Sequence, residues 1–182
     1  MKSQKKFSPT FSFELFPPQT PQGVEKLRLT RRQLAQYNPK FFSVTFGAGG
    51  STRERTLETV LEVQAEGHIV APHLSCIGST QQNIRAILEK YHQAGIRHIV
   101  ALRGDLPSGM AQAGEFRYAS ELVAFIRQEF GSSFHIDVAA YPECHPQAFD
   151  NFHVSPPVSG KYLLLHNLVI PDDLNPNLDI AK

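Results

Sequence analysis

From residue 11 to about residue 141 the chain alternates short apolar runs with longer stretches whose apolar residues recur every three or four positions. The first pattern is that of a buried strand and the second that of a helix with one buried face. Phe11-Ser-Phe-Glu-Leu-Phe16 alternates and is rich in aromatics, which predicts the first strand. Thr20 followed by Pro21 predicts a helix cap with proline at the first helical position, and the helix then runs through Val24, Leu27, Leu34 and Tyr37 towards Asn38-Pro39. Phe41 to Phe46 is the second predicted strand. Ser51 to Glu54 fits a capping box, and Leu57, Val60 and Leu61 supply the apolar face of the helix after it, closed by Gly67.

The same unit then recurs. His68 to Cys76 reads as a third strand, Ser79 to Gln82 as another capping box, and Ile84, Ile87, Leu88 and Tyr91 as a helical stripe ended by Gly95. Arg97 to Leu102 is the fourth strand, followed by a glycine-containing loop and a helix with Leu122, Phe125, Ile126 and Phe130, closed by Gly131. Phe134 to Ala140 is the fifth. Strands each separated by one helix imply a parallel α/β sheet with right-handed crossovers. An open doubly wound sheet and a part of a (β/α)8 barrel both satisfy that pattern. After Phe149 the rhythm fails: residues 151–160 contain Pro156-Pro157 and two serines, which deny a helix, and 174–182 read as a loose tail.

Composition narrows the class. The 182 residues carry 18 Lys+Arg against 17 Asp+Glu, a formal net charge of +1, which gives no electrostatic reason to expect nucleic acid or an anionic membrane as partner. The 41% apolar content suits a globular domain, and Tyr162 to Ile170 is far too short to span a membrane. Two cysteines, Cys76 and Cys144, are too few for a disulfide scaffold and favour a reducing compartment. No apolar signal core follows the basic N-terminus, so the expectation is a soluble, cytoplasmic protein.

Ligands of parallel α/β proteins bind at the carboxyl ends of the strands. Those positions hold Glu14, Thr45, His73, Arg103-Gly104-Asp105, and Tyr141 with Glu143 and His145. Five consecutive strands thus deliver polar groups to one edge, which is more informative than any single member. Glu14 sits among aromatic residues that would withhold water, raise its pKa and let it act as a general acid. The plainer alternative is an acid that pairs with arginine or caps a helix. Gly47-Ala-Gly-Gly50 can approach a phosphate, yet lacks the Lys-Ser/Thr of a P-loop and has Thr52 where a dinucleotide fingerprint needs glycine. Arg103 and Asp105 flank a glycine and can hold a planar polar ring, or simply make a salt-bridged turn. His73, Cys76, Cys144 and His145 have poor spacing for zinc, so no metal is expected there.

Taken together, Phe13-Glu-Leu-Phe-Pro-Pro18, Phe42-Ser-Val-Thr-Phe-Gly-Ala48 with Arg53-Glu-Arg-Thr56, Ala71-Pro-His-Leu-Ser-Cys76, Val100-Ala-Leu-Arg-Gly-Asp-Leu-Pro107 and Val138-Ala-Ala-Tyr-Pro-Glu-Cys-His-Pro146 closely resemble the methylenetetrahydrofolate reductases. The resemblance covers roughly residues 8 to 153. It implies a flavin-dependent (β/α)8 TIM barrel, of which this chain holds about five βα units. The implied reaction reduces 5,10-methylenetetrahydrofolate to 5-methyltetrahydrofolate with NADH or NADPH and FAD, in the one-carbon metabolism that feeds methionine synthesis. By position Glu14 matches the general acid that protonates folate N10 and opens the ring to an iminium. Asp105 matches the residue whose charge stabilises that cation. Thr45, Phe46, Ala48, His73, Arg103, Gly104, Asp105, Tyr118, Ala119, Tyr141, His145 and Ala148 match positions that hold FAD, and Thr45 also lies where nicotinamide or pterin stacks.

The family's later positions, an Asp and a Lys on the FAD phosphates and a folate-binding Gln, have no counterpart after Phe149. The expected organisation is therefore a partial barrel over 1–153 and a divergent, irregular tail over 154–182, the product of a truncated or frame-shifted gene with weak or no turnover. A second reading is a non-catalytic flavin- or folate-binding remnant, or a subunit completed by another chain. A third is a Rossmann-like dehydrogenase using Gly47-Ala-Gly-Gly50. NADH versus NADPH stays open, as does self-association into a homo-oligomer.

Overall fold

The structure is a computed structural model that describes residues 10–46, 50–105 and 114–139, with the side chains of 50–53 outside the description. The elements in chain order are β1 (Phe13–Leu15), α1 (Pro21–Ala35), β2 (Phe42–Val44), α2 (Gly50–Ala65), β3 (Val70–Ser75), α3 (Gln81–Gln93), β4 (His98–Leu102), α4 (Ala119–Phe130) and β5 (His135–Val138). All five predicted strands form, each somewhat shorter than its apolar run. Gly47-Ala-Gly49 of the glycine run, with Ala48 in it, and Tyr141, Glu143, Cys144, His145, Ala148 and the segment 154–182 lie outside the described residues, while Gly50 opens α2.

Every strand pairs parallel with the next, in the order β1-β2-β3-β4-β5. A doubly wound sheet reverses direction after its first strands, whereas a barrel adds each strand on the same side of the last. This order decides between the two architectures that the alternation left open. The chain has the TIM-barrel arrangement, with five of its strands described.

Strand residues alternate between two environments, because successive side chains point to opposite faces. Phe13, Leu15, Phe42, Val44, Val70, Leu74, Ile99 and Ala101 join the helix residues Leu34, Val60, Ile84, Leu88, Leu122 and Ile126 in the main core. The opposite face carries a smaller apolar group, Phe41, Ala71 and Val100, with Leu102 against it. Glu14, Ser43, His73, His98 and Asp137 belong to this inner face by alternation.

Caps explain the helix ends. Thr20 accepts the Gly23 N–H at 3.1 Å with Pro21 at the first helical position, as expected. In α3 the cap is Thr80, which accepts the Asn83 N–H at 3.2 Å, rather than the predicted Ser79; Ser79 is instead buried just before the helix. After α3, Gly95 at φ +82° lets its N–H reach the His92 carbonyl and the Ile96 N–H reach that of Tyr91, a paired closure that an L side chain disfavours. Two apolar assignments fail. Tyr37 follows the end of α1 and is exposed, and Leu61 faces outwards while Val60 and Val63 fill the core.

An ion cluster around the buried Arg31 joins α1 to α2. Arg31 is buried and donates to Glu62 at 2.6 Å and to Glu66 at 2.6 Å, while Arg28 makes two 2.9 Å bonds to Glu62. Hydrogen bonds from Arg28 and then Arg31 pull the Glu62 carboxyl down to about 2. This polar seam lies on the helix side of the sheet, where it fixes the two helices to each other.

Candidate active site

Glu14 occupies the middle of β1 and His73 the fourth position of β3, with β2 between them. Both side chains point to the inner face, because Phe13, Leu15 and Leu74 take the helix side. His73 Nε2 lies 3.8 Å from Glu14 Oε2, beyond hydrogen-bond reach, and both atoms are buried without a hydrogen-bond partner. Burial raises the Glu14 pKa and lowers that of His73 to about 4. An ion pair would move both groups the other way, so the geometry is that of a carboxyl biased towards its acid form beside a neutral imidazole. Phe13, the aromatic residue just before Glu14, lies on the opposite face, in the main core.

The rest of the predicted set continues along the same strand ends. Thr45, one residue past β2, donates its N–H to Leu15 O at 3.0 Å, and its own carbonyl accepts the Thr56 hydroxyl at 3.0 Å. Phe46 is half-buried and packs on the main core. Ser75, two residues beyond His73, donates its hydroxyl to Arg103 O at 2.9 Å, and Ile77 N–H donates to the same carbonyl at 2.9 Å. These bonds tie the β3 end to the β4 end and set the turn at Gly104. Gly104 has φ +78°, and a Cβ there would lie 1.9 Å from the Ser75 hydroxyl oxygen, so this close approach of the two strand ends leaves no room for a side chain.

Arg103 Nε donates to Arg117 O at 3.2 Å, bringing the β4 turn against the start of α4. Tyr118 and Ala119 begin that helix, whose first turn is held by Glu121 accepting the Arg117 N–H at 2.6 Å. Tyr118 and Asp105 are exposed, and Arg103, Gly104 and Ala119 are half-buried. Glu14 and His73 therefore meet directly, Arg103, Gly104, Tyr118 and Ala119 form a connected rim, and Asp105 stands at its exposed edge. Cys76 is buried at this junction, and its thiol is pushed up to about 11 by burial, which does not favour a nucleophilic thiolate. A groove between α1 and α2 is lined by Arg28, Arg31 and Glu62 and by none of the predicted site residues.

The sequence matches the family described as methylenetetrahydrofolate reductase over residues 1–155. The chain belongs to that family. It is 44% identical over 138 residues to the 5,10-methylenetetrahydrofolate reductases of Salmonella typhimurium and Escherichia coli, covering 75% of this chain and 45% of each relative. It is 40% identical over 154 residues to methylenetetrahydrofolate reductase (NADH) 1 of Arabidopsis thaliana, covering 82% of this chain and 26% of that protein. The chain thus spans less than half the length of these relatives. No helix among the described residues is long and apolar enough to cross a membrane.

One polar group on the inner face was not singled out from sequence. His98, His135 and Asp137 converge where β4 and β5 begin. The available signal was His135 and Asp137 spaced two apart on one strand; their partner on β4 is brought in only by strand pairing.

Proposed function

We propose that this chain supplies the flavin-facing strands of an FAD-dependent 5,10-methylenetetrahydrofolate reductase that uses NADH or NADPH, with Glu14 as the proton donor. The observation that carries this reading is the buried, unpartnered Glu14 Oε2 beside a neutral His73. Buried polar atoms without partners are costly, and a ligand that completes their hydrogen bonding removes the cost. The residues present suit FAD: His73 Nε2 is an unpaired polar atom, Arg103 brings a fixed cation, and Gly104 lets the β4 turn pack closely on Ser75. Thr45, Phe46, Tyr118 and Ala119, at the neighbouring strand and helix ends, complete the described part of the cradle, and residues 1–153 form the domain that carries it. FAD, when bound, supplies hydride chemistry.

The protein's part is proton placement and charge. A carboxyl that keeps its proton more readily than usual donates it to a folate nitrogen, and the dry inner face keeps that proton from exchanging with bulk water. Asp105, at the exposed edge, offers negative charge to the cation that develops on the folate.

Titration of the purified chain with FAD, followed by NADH or NADPH under anaerobic conditions, tests the reading. The expected result is saturable FAD binding, weakened at least about 10-fold by His73→Leu, and bleaching of the bound flavin by the nucleotide. Binding without bleaching favours the second reading, a non-catalytic flavin- or folate-binding protein. Failure to bind FAD contradicts both.

A further inference from the structure

The geometry points to a binding site for a divalent transition-metal ion of the zinc class at His98, His135 and Asp137. His98 and His135 are the first residues of β4 and β5 and are register partners, and Asp137 lies two residues on along β5. Ile99, Ala101, Ile136 and Val138 pack on the helix side, so alternation turns all three side chains to the inner face. One ligand atom from each, two imidazole nitrogens and a carboxylate oxygen, lies within 4.8 Å of the other two. This group is on β4 and β5, away from the β1 and β3 positions of Glu14 and His73.

Charge and geometry argue for a cation. Asp137 is 2% exposed, and a buried carboxylate is costly without positive charge beside it. Its ion-pair partners are both imidazoles, His98 Nε2 at 2.6 Å on one oxygen and His135 Nε2 at 3.2 Å on the other. Among the described residues no arginine or lysine pairs with it. A divalent ion held by the two imidazole nitrogens and the carboxylate would supply that charge. Tetrahedral zinc at its usual bond lengths separates its ligands by about 3.3 Å, so small side-chain rotations convert the observed contacts into a coordination shell. His98 is braced for this by the Phe41 ring, with centroids 4.5 Å apart. The His135 side chain is 58% exposed, which leaves an entry path and room for a water as fourth ligand.

The test is a Co2+ titration of the purified, chelator-treated full chain, read by visible d–d absorption and proton release, followed by displacement with Zn2+. The expected result is a saturable one-to-one complex with the intense absorption of a four-coordinate site. His135→Gln and Asp137→Asn should each weaken binding at least about 10-fold. His135 is exposed enough for its variant to keep the fold, which circular dichroism checks. His92→Gln, on α3 and outside the cluster, should bind as the unaltered chain does. The proposal is overturned by weak six-coordinate absorption only, by unchanged affinity in the His135 variant, or by an equal loss in the His92 control.

Discussion

His73 Nε2 and Glu14 Oε2 face each other at 3.8 Å on the inner face, each buried and each without a hydrogen-bond partner. The pair crosses over β2, so it exists only because β1, β2 and β3 are parallel and in register. Nothing in the local sequence of either strand makes this contact; the sheet does.

His73 should make stability fall with acid over a defined window. Its folded-state pKa is lowered from 6.5 to about 4, so the unfolded chain takes up the proton first. Stability tied to the neutral imidazole is complete above about pH 6.5, is lost as pH falls towards 4, and changes no further below that. The gap corresponds to about 3 kcal/mol. Urea unfolding of the unaltered chain and of His73→Gln between pH 7 and 4 should show a markedly shallower loss in the variant. Parallel curves would place the titration elsewhere.

The α1–α2 seam should be unequal in its two arginines. Arg31 is 1% exposed and serves both Glu62 and Glu66, so Arg31→Ala removes a buried side chain together with its bonds to two part-exposed carboxylates and should cost about 1–2 kcal/mol. Arg28 is far more exposed, and Arg28→Ala should cost clearly less, with its own loss shrinking in high salt. Thermal unfolding of the two variants checks the order, and equal losses would contradict it.

Much of the architecture was legible because helix and strand periods alternate cleanly along the chain, and the positive-φ Gly95 ends α3 where expected. Strand order was not legible, because a doubly wound sheet and a barrel share the same local pattern. Thr80 took the cap expected of Ser79 because adjacent hydroxyls are locally equivalent and Ser79 is drawn into the buried side. Leu61 fits a three-four pattern as well as Val63 does, yet only tertiary packing decides which one meets the sheet. Glu14 and His73 were visible as strand-end polar residues, while the His98–Asp137 contact needed the pairing of β4 with β5.

Gly104 and Ser75 should behave as one unit. Gly104→Ala places a Cβ 1.9 Å from the Ser75 hydroxyl oxygen and forces a side chain into φ +78°. The backbone strain alone should cost about 1–2 kcal/mol, and loss of the Ser75–Arg103 bond about 1 kcal/mol more. Ser75→Ala should then cost about 1 kcal/mol in the unaltered chain and nothing once Gly104→Ala is already present. A double-mutant cycle by urea unfolding measures this, and additive losses would contradict the clash.

The most direct measurement is the protonation of Glu14 itself. Its side-chain carboxyl carbon, labelled with carbon-13 and assigned by loss of the signal in Glu14→Gln, is followed by NMR as pH is raised. Burial on the inner face predicts a midpoint above the ordinary carboxyl value of 4.5. A midpoint at or below 4.5 would mean that Glu14 is solvated or paired with a cation, and the proton donor would have to be sought elsewhere.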